Sequence, residues 1–241
     1  MKIASITGVT KSPELTHTKS IGGIILAING LQLSDLTTEK ISVYIERANG
    51  SNVILANKVL LSDFILASTF GSEATQSDAF YETIALCELA HDGGIILGDK
   101  ESIKINFDDL IDNSVTYDVY GVEEPEGTYD LYFFEQKTVA SEEFSKKIDV
   151  RGFDLAIMKT DASVSDLSYR YENGQVIKYL PFELQTMSRD IDPIQAINGT
   201  TVLQGLTNRI SLPLLHVNTL EINKSQGEVI NFVVRQLRNI L

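Results

Sequence analysis

Apolar and polar residues alternate with a period of two along most of this chain, which restricts it to half-buried β-strands. Ile41-Ser42-Val43-Tyr44-Ile45-Glu46 alternates, as do Ser102-Ile103-Lys104-Ile105-Asn106 and Val115-Thr116-Tyr117-Asp118-Val119-Tyr120. Tyr129 to Phe134 and Glu228 to Val234 are rich in aromatic and β-branched residues, which suit strands. Asn-Gly pairs stand at Asn29-Gly30, Asn49-Gly50, Asn173-Gly174 and Asn198-Gly199. Asn-Gly tolerates positive φ and predicts two-residue type I′ hairpins, most clearly between Tyr169–Glu172 and Gln175–Tyr179. Helix is scarce. Asn57 to Leu66 fits one short amphipathic helix, and Pro181 to Arg189 a second with proline in its first turn. Gln76 to Leu89 fits either a capped helix or a strand.

The order of these segments repeats. Gly23 to Ile28 resembles Gly152 to Ile157, and Tyr44-Ile45-Glu46 through Asn49-Gly50 resembles Arg170 through Asn173-Gly174. A short strand and a short helix follow in both places. Ser102 to Asn106 then resembles Thr219 to Asn223, and Val115, Tyr117 and Val119 match Ile230, Phe232 and Val234. The spacing of matched positions shrinks steadily, from 129 residues (Leu26 to Leu155) to 115 (Val119 to Val234), so the copies are collinear and the first has longer loops. Each copy spans roughly 100 residues and holds about eight short strands, the size of a jelly roll. The expected fold is therefore all-β, two tandem jelly-roll β-barrels with short helices in their loops. The expected division is an N-terminal arm at 1–20, a first barrel at 21–135, a polar linker at 136–149 and a second barrel at 150–241.

Composition narrows the function. Hydrophobic residues make up 43% of the 241 residues, enough for a sizeable core. No run approaches the roughly 18 apolar residues of a membrane span, and Met1 to Ser5 lacks the pattern of a secretory signal. The expectation is a soluble protein made in a cytoplasm. With 20 basic against 33 acidic residues the net charge is −13, and no basic cluster exceeds two in a row. Direct nucleic-acid binding, which neutralises phosphates with Lys and Arg, is not expected.

In strand order, hairpin, helix position and closing strands, all occurring twice, the chain resembles the double jelly-roll major capsid proteins of tailless icosahedral phages with an internal membrane. The likeness is greatest to the small corticovirus type. Ile41 to Ser68 carries most of it, and Phe153 to Arg189 carries the corresponding part of the second copy. It covers roughly residue 21 to the C-terminus, as pattern rather than identity. The resemblance implies a structural, non-enzymatic coat protein in the virion, synthesised in the host cytoplasm. It implies a homotrimer whose six barrels form a pseudo-hexagonal tile, with neighbouring capsomers and minor membrane or vertex proteins as partners. The alternative is a β-sandwich binding module for a receptor or carbohydrate, which the absence of tryptophan weakens.

No catalytic, cofactor-binding or metal-ligating residue is assigned. Cys87, the single cysteine, lies in the apolar run Thr83 to Cys87 and reads as an inert buried thiol. His17, His91 and His216 are isolated, with no His-x-His pair to bind a transition metal. No Gly-x-Ser-x-Gly elbow is present, and Gly93-Gly94 reads as a turn rather than a phosphate cradle. Asp108, Asp109 and Asp112 are hard oxygen donors of the kind Ca²⁺ takes, but they lack EF-hand spacing and read as a solvated loop.

Overall fold

The computed structural model describes residues 1–70, 76–111, 114–159, 163–187, 209–225 and 227–241. The first half contains β1 (Lys2–Thr7), β2 (Leu15–His17), β3 (Ile21–Asn29), β4 (Lys40–Glu46), β5 (Asn52–Leu60), α1 (Leu61–Thr69), β6 (Thr83–Glu88), the two-residue β7 (Gly94–Ile95), β8 (Ser102–Asp108), β9 (Thr116–Glu123) and β10 (Glu126–Thr128). The second half contains β11 (Asp130–Val139), β12 (Ser145–Asp149), β13 (Leu155–Lys159), β14 (Val164–Tyr171), β15 (Val176–Tyr179), α2 (Pro181–Met187), β16 (Arg209–Pro213), β17 (Val217–Lys224) and β18 (Ile230–Asn239).

Strand order identifies the architecture. Setting aside the small β7–β10 pair, the first eight strands form sheets β1-β9-β3-β6 and β2-β8-β4-β5. The second eight form β11-β18-β13-β16 and β12-β17-β14-β15. Each half therefore pairs its first, eighth, third and sixth strands in one sheet and its second, seventh, fourth and fifth in the other. This is the jelly roll, two interlocked Greek keys. The two barrels are joined edge to edge, because β5 meets β11 in parallel at Ala56 and Phe134, making one eight-stranded sheet.

The repeat also holds in register beyond its first block, where Leu26 is matched by Ala156 and not by Leu155, since Leu26 pairs with Val119 and Ala156 with Val234. Ile105 pairs with Val43 and Ile222 pairs with Leu167, and Val43 and Leu167 each stand seven residues before the glycine of the following turn, Gly50 or Gly174. Glu46 and Glu172 lie at the same corner but are not equivalent; the turn glycines match Glu46 to Arg170. The turns are not the expected type I′. Only the glycines have positive φ (80° at Gly50, 84° at Gly174), and the preceding asparagines do not. Gly50 N donates to Arg47 O and Arg47 N to Ser51 O, and the same pair of bonds links Gly174, Tyr171 and Gln175. This is a three-residue loop closed by a glycine bulge. Asn49 and Asn173 each accept a bond from the backbone N–H two residues on, at 2.9 Å in both cases, so their side chains hold the turn. Asn198-Gly199 lies outside the described residues.

Three boundaries differ from expectation. Residues 1–20 are not an arm, since β1 pairs with β9 and β2 with β8. Residues 136–149 are not a linker, since Gln136 to Val139 continue β11 and Ser145 to Asp149 form β12. The Tyr129–Phe134 run belongs with the second barrel, because β11 forms a ten-residue antiparallel ladder with β18. A ladder of that length outweighs the local polarity of Gln136-Lys137-Thr138. The expected helix at Asn57 to Leu66 begins only at Leu61. Asn57 to Leu60 complete β5, which passes through positive φ (50°) at Lys58. The ambiguous segment ends in a strand, β6, whose Thr83, Ala85 and Cys87 point inward.

Candidate functional site: the seam between the barrels

The junction of the barrels holds a set of buried polar side chains that includes Asp63 and Arg235, and α1 lies at its centre. Leu61 to Ser68 are all buried, so the helix has no solvent face. It packs against β6 of its own barrel and against β11, β13 and β18 of the other. Those strands carry apolar residues on both faces, because both faces are covered. In β18, Phe232 and Val234 enter the second core while Val233 joins the first; in β13, Ala156 and Met158 enter the second while Leu155 and Ile157 join the first. Phe64 of α1 meets Phe134 of β11 edge to face, with ring centroids 4.8 Å apart.

Polar groups close the seam at both ends of α1. At the N-terminal end, Asp63 forms an ion pair with Arg209 of β16 at 3.1 Å, and Arg209 also reaches Ser62 Oγ at 3.3 Å. Gln136 of β11 accepts the Leu60 N–H at 2.9 Å and donates to Phe232 O at 2.9 Å, tying β5, β11 and β18 together. Burial pushes the Asp63 carboxyl above the usual carboxylate range, against the pull of Arg209 and Gln136. At the C-terminal end, Arg235 donates to Ala67 O at 2.9 Å and Phe70 O at 3.3 Å, satisfying carbonyls that the helix leaves open. The same guanidinium binds Asp154 Oδ2 at 2.6 Å and lies 4.9 Å from the Tyr132 ring centroid. This set of bonds holds the barrels in one relative orientation.

Asp63, Gln136, Arg209 and Arg235 were not singled out from sequence. The available signal was a lone charge inside an apolar run: Asp63 between Leu61 and Phe64, and Arg235 after Val233-Val234.

The residues weighed from sequence lie elsewhere. Cys87 is fully buried in β6, and burial pushes its thiol up to about 12, leaving it protonated and unreactive. His91 Nδ1 lies 3.3 Å from the Tyr132 hydroxyl and His216 Nδ1 lies 3.4 Å from Glu172. Asp108 pairs with Lys11 at 3.2 Å and Asp109 with Lys40 at 2.7 Å; Asp112 lies outside the described residues. Among the described residues no three His, Cys, Asp or Glu side chains gather into a metal-holding group. Gly93 has φ 105°, and a Cβ on Gly94 would lie 2.1 Å from Ser20 Oγ, so the pair makes a tightly packed turn.

His17 is 4% exposed, and among the described residues its Nε2 has no partner. Burial holds its pKa below the ordinary imidazole value; Glu123 pulls it up, while Lys19 and the N-terminus press it further down. The folded protein therefore resists a proton that the unfolded chain accepts. Stability from this site is complete above about pH 6.5, the unfolded value, and is lost as pH falls through the lowered folded value. His17→Phe is expected to flatten the acid limb of the melting temperature–pH curve below about pH 6.5. An unchanged acid limb would remove His17 as its source.

No protein-family model matches this sequence, and no curated protein matches it. Solved structures do. The major capsid protein P2 from bacteriophage PM2 is similar with a TM-score of 0.53 and 12% identity, over 99% of this chain and 96% of that one. The STIV MCP is similar with a TM-score of 0.56 and 10% identity, over 98% and 94%. What is shared at such identities is the course of the backbone through both barrels: the chain is a double jelly roll, built on the fold of these two viral capsid proteins.

Proposed function

We propose that this chain is a structural capsid protein whose copies assemble as trimers, each presenting six barrels as a pseudo-hexagonal tile of an icosahedral shell. One observation carries the reading: a single chain holds two barrels of the same strand order, locked edge to edge, on the fold of two viral capsid proteins. Two like barrels in one chain act as two neighbours of a hexagon, and three chains close the ring through a head-to-tail contact. We place the first barrel at 1–123 and the second at 130–241. In this reading the protein is made in the host cytoplasm and resides in the virion. It contacts copies of itself, neighbouring capsomers and minor membrane or vertex proteins. Its acidity keeps it off the genome, and it performs no catalysis.

Size-exclusion chromatography with light scattering tests the assignment. The expected mass is three times the 26.7 kDa of one chain, held by seams of the obligate kind that bury more than about 2,000 Å². A persistent monomer at micromolar concentration, with divalent cations present, would count against the capsid reading and favour a binding module.

A further inference from the structure

Inside one chain, the fifth strand of the first barrel (β5) meets the first strand of the second (β11) in parallel. That contact joins β2-β8-β4-β5 to β11-β18-β13-β16. The two sheets left over are β12-β17-β14-β15 and β1-β9-β3-β6. They are the counterparts of the joined pair, with the barrels exchanged. Among the described residues, their matching edges, β15 and β1, have no neighbouring strand on one side.

We infer that β15 pairs in parallel with β1 of a second copy, repeating between chains the seam that β5 and β11 make within one. This rests on the trimer reading above and names the surface through which it closes. An open strand edge offers unpaired N–H and C=O groups, and a partner of fixed shape is one way to cover it. The segment is suited to burial: Val176 is 50% exposed and Leu180, just beyond β15, is 41% exposed. The next element, α2, occupies the place that α1 holds in the first barrel, where the helix is buried against the adjoining barrel.

The repeat sets the register. Ala56 pairs with Val43 and Tyr179 with Leu167, the matched residues of β4 and β14, so Tyr179 stands where Ala56 does. Phe134 pairs with Arg235 and Lys2 with Tyr120, each one residue past the matched Val234 and Val119, so Lys2 stands where Phe134 does. The Ala56–Phe134 contact therefore becomes Tyr179 of one copy beside Lys2 of the next.

Oxidation of the Lys2→Cys/Tyr179→Cys variant tests this, since native Cys87 is fully buried and stays out of the exchange. The expected products are disulfide-linked dimers and trimers under non-reducing electrophoresis. Lys2→Cys/Lys146→Cys, which moves the second thiol to β12 at the far edge of that sheet, should stay monomeric there. Leu180→Asp supplies a second readout that does not depend on Tyr179. Leu180 O already accepts the Glu183 N–H at 3.0 Å, and aspartate favours such a helix start, so the fold is kept. Trimers of this variant should dissociate at a concentration at least about tenfold higher than wild type. A trimeric wild type, with neither the engineered disulfide between β1 and β15 nor weakening by Leu180→Asp, would overturn the seam and leave the trimer standing. A monomeric wild type would overturn both.

Discussion

Asp63→Ala is expected to cost about 3–5 kcal/mol, because it leaves the Arg209 guanidinium buried and uncompensated. The side chains of the pair are 2% and 11% exposed, so water cannot replace the lost carboxylate without opening the seam. Gln136 also loses its 3.5 Å contact with Asp63 Oδ2. For a chain of this size each kcal/mol moves the melting temperature by about 2–4 °C, so a fall of roughly 10 °C should appear by calorimetry. The double variant Asp63→Leu/Arg209→Met should recover most of that loss, since apolar groups of similar volume avoid the desolvation of two charges. A single variant within about 1 kcal/mol of wild type would show that the ion pair does not hold the barrels together.

Phe64→Ala should be of similar size through a different cause. Phe64 is fully buried within α1 and its ring meets Phe134 across the seam. Truncation opens a cavity between two barrels that cannot collapse freely, because β5, β11, β13 and β18 are held by their ladders. Phe-to-Ala changes at such sites cost about 3–5 kcal/mol. Combining it with Phe134→Ala isolates the ring contact, whose coupling should be about 0.5–1.5 kcal/mol. Denaturant midpoints of the four proteins give the cycle; additivity would show that the rings fill space without acting on each other.

The two charged residues most important to the seam break the apolar pattern rather than follow it. Periodicity reports which face of a strand is covered, not by what. Asp63 inside Leu61 to Leu66 looks like the polar face of a surface helix, and an amphipathic helix was the expectation for Asn57 to Leu66. In the fold that helix starts later and is enclosed on every side. Arg235 in β18 likewise looks like an outward position, and it is outward from its own barrel but faces Ala67 O, Phe70 O and Asp154.

The sequence by itself determined what depends on neighbours along the chain and on the order of like segments. The alternation at Ile41–Glu46 made strands, Asn49-Gly50 and Asn173-Gly174 made matching turns, and the collinear likeness of five blocks made two barrels. Its reach ended where pairing partners are distant. Lys2 to Thr7 is a short run of three apolar and three polar residues, too brief for its local pattern to mark it as a barrel strand. Only its ladder with β9, more than 100 residues away, makes it the first strand of a barrel instead of an arm. Tyr129 to Val139 is a strand by composition, but whether it closes the first barrel or opens the second depends on β18, which supplies ten paired residues at the far end of the chain. Loop closure over such separations is repaid by main-chain bonds and burial that no local window contains. The same holds for the seam: its apolar faces are legible as apolar, and only the tertiary structure decided that one barrel covers the other.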